Sequence, residues 1–132
     1  MDRPVTSLDQ AAFTHHVALL ILRAASFGYA CKVQEWNRDL ETQRRYVAEG
    51  ASKTMASKHL DKIAVDLYLL KDGAILSPDP KSPDAEHYRP LGEYWEALGG
   101  RWGGRFGLED RSDAIQAKQL GWDCCHFEHR LT

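Results

Sequence analysis

Two short stretches hold most of the residues that can do chemistry. The first is Ser57-Lys58-His59-Leu60-Asp61-Lys62-Ile63-Ala64-Val65-Asp66, and the second is Trp122-Asp123-Cys124-Cys125-His126-Phe127-Glu128-His129. His59, Asp66 and His126 supply three nitrogen or oxygen donors of the kind that hold a catalytic zinc ion, and a three-ligand set leaves a fourth position for water. Zinc brings the pKa of such a water to about 7. A carboxylate close by, such as Asp123 three residues before His126, is then a competent general base at neutral pH. Each stretch also has a plainer reading. Asp66 alone reads as a solvent-facing strand residue and His59 as a surface loop residue, while the second stretch reads as a buried cysteine pair among solvated acids. Cys124 and Cys125 make a poor joint ligand pair, because neighbours on a strand diverge and no Cys-x-x-Cys accompanies them.

These residues need elements to position them. From Ile63 the pattern alternates with period two: Ile63, Val65, Leu67 and Leu69 share one face, and Ala64, Asp66 and Tyr68 the other. Lys71-Asp72-Gly73 predicts a hairpin turn, with Ala74 to Leu76 as the return strand. Trp122 to His129 has the pattern of a last strand. In a regular strand Asp123 and His126 would point to opposite faces, so a shared site requires Asp123 in a turn or bulge just before it. Upstream, Ser7 with Gln10 suggests a capping box. Phe13, Val17, Leu20, Ile21 and Ala24 then follow at helical spacing over residues 8–26, with Gly28 as the stop. Tyr29 to Trp36 leans to strand. Asp39 is placed to cap a helix over 40–49 that Gly50 closes. Residues 51–58 read as a loop, and 77–84, with three prolines, as irregular. A further helix over 89–98 aligns Leu91, Tyr94, Trp95 and Leu98, and Gly99-Gly100 ends it. Residues 102–107 are Gly-rich and aromatic, and 112–119 suggest one short helix. Helices mixed with antiparallel hairpins argue an α+β fold.

With 132 residues the chain fits one domain, 1–132. Its 43% apolar and 27% charged residues suit a folded protein. A net charge of -2 offers no basic surplus for nucleic acid and no acidic tail. The N-terminus lacks the apolar region of a signal peptide, and Val17 to Leu22 is too short to span a membrane. The expectation is a monomer made in the cytoplasm. Three cysteines, Cys31, Cys124 and Cys125, do not make a disulfide framework, and Cys31 reads as a small buried apolar residue.

The pattern SxHxxxxAxD followed by a late DxxHFE resembles the zinc D-Ala-D-Ala and L-Ala-D-Glu peptidases, which include phage endolysins and bacterial D,D-dipeptidases. The likeness runs from Glu35 to Glu128. Ser57, His59, Ala64 and Asp66 match the family's SxHxxGxAxD, with Lys62 at the glycine position. The resemblance implies that His59, Asp66 and His126 are the zinc ligands and that Asp123 is the catalytic carboxylate, which is Asp in the endolysin branch and Glu in the dipeptidase branch. Arg38-Asp39-Leu40-Glu41-Thr42-Gln43 looks like the family's RTxxxQ stretch, although the usual Gly-x-Arg-Thr is missing. Arg38 would then contact the substrate carbonyl or the oxyanion. Leu91-Gly92 through Trp95 to Trp102-Gly103-Gly104 looks like the endolysin branch's LGxxW…WGG region. The implied fold is that of the hedgehog/D,D-peptidases, a small antiparallel sheet with helices packed on one side and zinc on the other. The implied partner is the peptidoglycan stem peptide, cut at L-Ala-D-Glu by an endolysin. The alternatives are a D-Ala-D-Ala carboxypeptidase or dipeptidase, and a catalytically silent zinc-binding module. Ser57 is placed to hydrogen-bond a ligand or a loop amide. Glu128 and His129 are candidates to tune His126, and Trp102 and Trp122 to line the cleft, although aromatic residues more often belong to the core.

Overall fold

The alternation from Ile63 onward builds the centre of the fold. The computed structural model describes residues 3–36, 40–50, 63–108 and 119–131. Strand β2, Ala64–Lys71, buries Val65, Leu67 and Leu69 on one face, with Ile63 just ahead of it. Strand β1, Ala30–Glu35, pairs antiparallel along one edge of β2, with a bulge between Val33 and Glu35. The short β3, Ala74–Ile75, returns along the end of β2 after a turn in which Asp72 has φ 52° and Gly73 φ 80°. Consecutive positive φ values make the tight hairpin that Asp-Gly favours. On the other edge of β2 lies β5, His126–Glu128, followed by β4, Arg101–Trp102, giving the order β1-β2-β5-β4, antiparallel throughout.

Helices cover the apolar face of this sheet. Helix α1, Ser7–Ser26, presents Phe13, Val17, Leu20 and Ala24 to Val65, Leu67, Leu69 and Phe127. Helix α3, Arg89–Ala97, adds Leu91 and Trp95, and the Trp95 ring meets Phe13 and Phe127 edge to face at 5.8 and 5.9 Å. Burying one such large apolar side chain is worth about 1.5–3 kcal/mol, so this layer supplies the main stabilising contribution. Helix α2, Leu40–Ala48, follows β1, and the Tyr46 hydroxyl donates to Glu35 Oε2 at 3.0 Å. Before α3, residues 83–88 form a 3-10 turn. There Tyr88 receives the Leu69 amide and donates to the Leu76 carbonyl, tying the proline-rich segment to β2. Among the described residues no helix is long and apolar enough to cross a membrane.

The architecture matches the α+β expectation, with differences at element ends. The capping box of α1 is built by Thr6 and Asp9, one residue ahead of the expected Ser7 and Gln10. Arg3 explains the choice: it binds Asp9 through two hydrogen bonds, of 2.6 and 2.8 Å, fixing the carboxylate where it also accepts the Thr6 amide. The last strand is three residues long rather than eight, because residues 121–125 are spent on a turn. Cys31 is half-buried, since its strand lies at the sheet edge. The Asp39 cap, the 51–58 loop and most of the expected 112–119 helix lie outside the described residues.

Candidate metal centre

Register decides which residues meet on the polar face. In the β2–β5 pairing Asp66 stands directly opposite His126, Val65 opposite Phe127, and Ala64 opposite Glu128. Directly paired residues project to the same side. Val65 and Phe127 therefore enter the core, while Asp66, His126 and Glu128 share the face away from the helices. His126 Nδ1 lies 3.1 Å from Asp66 Oδ1. Asp123 occupies the turn before β5, as the spacing required, and its Oδ2 is 3.7 Å from the same nitrogen.

The turn that holds Asp123 is fixed from behind. Its amide donates to the Gly103 carbonyl, and its carbonyl accepts the His126 amide at 3.1 Å. A Cβ on Gly103 would collide with the Asp123 carbonyl oxygen, so only glycine permits this approach. Two core indoles add to the clamp. Trp102 Nε1 donates to the Cys124 carbonyl at 2.7 Å, and Trp95 Nε1 to the Glu128 carbonyl at 2.8 Å. Trp102 is thus a core residue. Trp122 is 56% exposed, and its ring lies 5.5 Å from that of Phe106, which is also 5.5 Å from the His126 ring.

Carboxylates surround a buried imidazole here. Burial is the largest influence on His126 and lowers its pKa. Hydrogen bonds to Asp66 and Glu128 and the charges of Asp123 and Asp66 together outweigh it, raising the pKa to about 10. An imidazole binds a metal in its neutral form, so carboxylates that favour the protonated ring set metal and proton in competition at this site. Tyr68, two residues along β2 from Asp66, is raised by burial first and then by Cys125, Asp66 and Asp123.

The donor chemistry fits a zinc ion, which takes imidazole nitrogen, carboxylate oxygen and thiolate sulfur. Asp66, Asp123 and Cys125 each place one donor atom within 4.8 Å of the others, and His126 Nδ1 faces the two carboxylates. Of the residues singled out by sequence, Asp66, Asp123 and His126 meet in one place. His59, Arg38 and Ser57 lie outside the described residues. Gln43, from the RTxxxQ-like stretch, is fully buried in α2.

Phe106 escaped the sequence reading, and Cys125, which that reading set aside as a joint ligand with Cys124, lies beside the carboxylates. Cys125 sits in the turn rather than on the strand, so strand alternation does not carry it away from the carboxylates; its thiol is pushed up by burial first and then by Asp66 and Asp123. Phe106 reaches His126 across the chain, with no sequence signal for the contact. Cys124 is buried with its thiol toward the Gly121 carbonyl, and burial is the first cause that pushes it up to about 11. Among the described residues, His87 bonds the Tyr29 hydroxyl at 2.6 Å, and His16 lies against Trp95 and His129.

Comparisons with known proteins bear on this geometry. A family model described as D-alanyl-D-alanine carboxypeptidase matches residues 50–112, a stretch that contains His59 and Asp66 and stops before Asp123. The fold is similar to that of the L-Ala D-Glu endopeptidase ChiX of Serratia marcescens. Identity is 24%, with 85% of this chain and 77% of that one covered and a TM-score of 0.52. It is also similar to the vancomycin-resistance D,D-pentapeptidase VanY from a VanB-type resistance cassette, solved in complex with Zn(II). Here identity is 22%, with 89% of this chain and 70% of that one covered and a TM-score of 0.54. No curated protein matches by sequence.

Proposed function

We propose that the chain is a member of the zinc D-Ala-D-Ala and L-Ala-D-Glu peptidase family, a reading supported by the family model that matches residues 50–112, and that it hydrolyses a peptide bond in the stem peptide of peptidoglycan, with Asp66 and His126 holding the zinc together with His59. The observation that carries this reading is the direct pairing of Asp66 with His126 across β2 and β5, with Asp123 beside them in the preceding turn.

Bound zinc supplies Lewis-acid activation of a water and of the scissile carbonyl. The remaining work falls to the chain. Asp123, held at its backbone by Gly103 and His126, takes the proton from the attacking water and returns it to the leaving amine. Its carboxylate is part-exposed in the turn, which leaves it reachable by substrate. Arg38 steadies the carbonyl oxygen as negative charge develops there.

The bond we assign is L-Ala-D-Glu, with the chain acting as a phage or prophage endolysin. Support comes from the aspartate at position 123 and from the Trp102-Gly103-Gly104 segment, both of which resemble that branch. The second reading is a D,D-carboxypeptidase, favoured by the description of the matching family model. Digestion of purified peptidoglycan, with mass spectrometry of the new termini, separates the two. New D-Glu amino termini support the endolysin reading, and released D-Ala the carboxypeptidase. Asp123→Asn should keep zinc and fold while cleavage falls by about 10²–10⁴, the contribution of a general base. A parent that binds zinc but releases nothing from walls of several species would leave a silent zinc module.

A further inference from the structure

Glu128 is a buried carboxylate that the proposed reaction does not use. Its Oε1 lies 2.9 Å from His126 Nε2, the ring nitrogen opposite the one that faces Asp66 and Asp123. The two residues are neighbours on one face of β5, at i and i+2, so the strand's own period brings them together. Both ends of Glu128 are held. Its carbonyl accepts the Trp95 indole, and its Oε2 lies 3.4 Å from Arg101 Nη1 on the paired strand. Arg101 in turn lies over the Phe106 ring at 5.1 Å, and that ring borders His126.

We propose that Glu128, backed by Arg101, is a positioning residue that keeps the proton of His126 on Nε2 and so presents Nδ1 to the metal. The inference rests on the zinc reading given under the proposed function. An ionised carboxylate only accepts hydrogen bonds, so the nitrogen facing it must carry hydrogen. A neutral imidazole has one protonated nitrogen and binds a metal through the other. Fixing the proton on Nε2 therefore leaves Nδ1, on the side of Asp66 and Asp123, as the donor. The same contact stops the ring from rotating out of line. Carboxylate partners of metal-binding histidines typically account for about 10–100-fold in metal affinity.

The test uses the full chain with zinc alone as the probe. In the zinc-loaded parent, nitrogen-15 correlation spectra of the histidine rings should show His126 with hydrogen on Nε2 and metal on Nδ1. Chelator competition should show Glu128→Leu binding zinc about 10–100-fold more weakly. Glu128→Gln, whose amide oxygen still accepts from Nε2, should recover most of that loss, and Arg101→Ala should show a smaller loss. If Glu128→Leu does not fold, the ring spectra of the parent and Glu128→Gln decide the matter. Zinc bound through Nε2, or parental affinity in a folded Glu128→Leu, overturns this inference and leaves the peptidase reading standing. A parent that takes up no zinc overturns both.

Discussion

The two faces of the β2–β5 pair share one backbone and do opposite work. On the helix side Val65, Leu67 and Phe127 are closed off from water by α1 and α3. On the other side Asp66, His126 and Glu128 crowd charge into a poorly solvated space. The first face gains stability from burial. The second gives some of it up, because desolvated charges are costly unless paired or metal-bound. Hydrogen bonds from side chain to main chain connect the two: the indole N–H groups of Trp95 and Trp102, both core residues, donate to the carbonyls of Glu128 and Cys124. A site placed this way inherits its rigidity from the core rather than from its own side chains.

Adjacent substitutions on β2 test that contrast with the largest expected effect. Leu67→Ala should cost about 2–5 kcal/mol in urea unfolding, alike with zinc and with chelator, since it opens a cavity in the core. Asp66→Asn should change the metal-free stability by only about 1 kcal/mol while abolishing zinc-dependent stabilisation, which at 100-fold excess over Kd is about 2.7 kcal/mol. Equal losses in chelator for the two variants would remove the distinction between the faces.

Gly103→Ala sharpens the comparison at the connection itself. The new Cβ pushes the Asp123 turn outward while leaving every donor atom in the chain. Small displacements at a reacting group can cost about 10²-fold, so kcat/KM on wall substrate should drop by about that factor, with zinc stoichiometry kept and stability lowered by about 1–3 kcal/mol. Parental activity would mean that the turn is held by something other than the close approach to Gly103.

The smallest effect belongs far from either face. Thr6→Ala removes the α1 cap and should cost about 1 kcal/mol without changing the rate of cleavage per folded molecule. The acid limb should also respond to this region. The Arg3 guanidinium, with help from the Thr6 amide, holds the Asp9 carboxyl well below the usual carboxylate range. Its stabilising contribution is therefore present above the unfolded carboxylate pKa and is lost as pH falls toward the folded one. Asp9→Asn should flatten that part of the stability profile; an unchanged acid limb would show that the pair contributes nothing in solution.

Much of this was legible in the residues themselves. Period-two alternation from Ile63 to Leu69 named both faces of β2, and helical spacing named Phe13, Val17 and Leu20 as core, because one apolar sheet face and one apolar helix stripe admit few partners. The three-residue spacing of Asp123 and His126 also implied a turn before the last strand, since a continuous strand would have sent them apart. Pairing register and long-range backing were not legible. Nothing local says that Asp66 faces His126 across sixty residues, that Arg3 moves the cap to Thr6 by holding Asp9, or that Cys125 turns toward the carboxylates. Likewise, Glu128 reaches Nε2 while Asp66 reaches Nδ1 only because β5 lies in one register against β2. The sequence by itself determined the kinds of donor available and the side of each element they occupy, which follow from periodicity. Tertiary structure alone decided which donors meet and at what distance, because that depends on how sheet and helices close over a shared core.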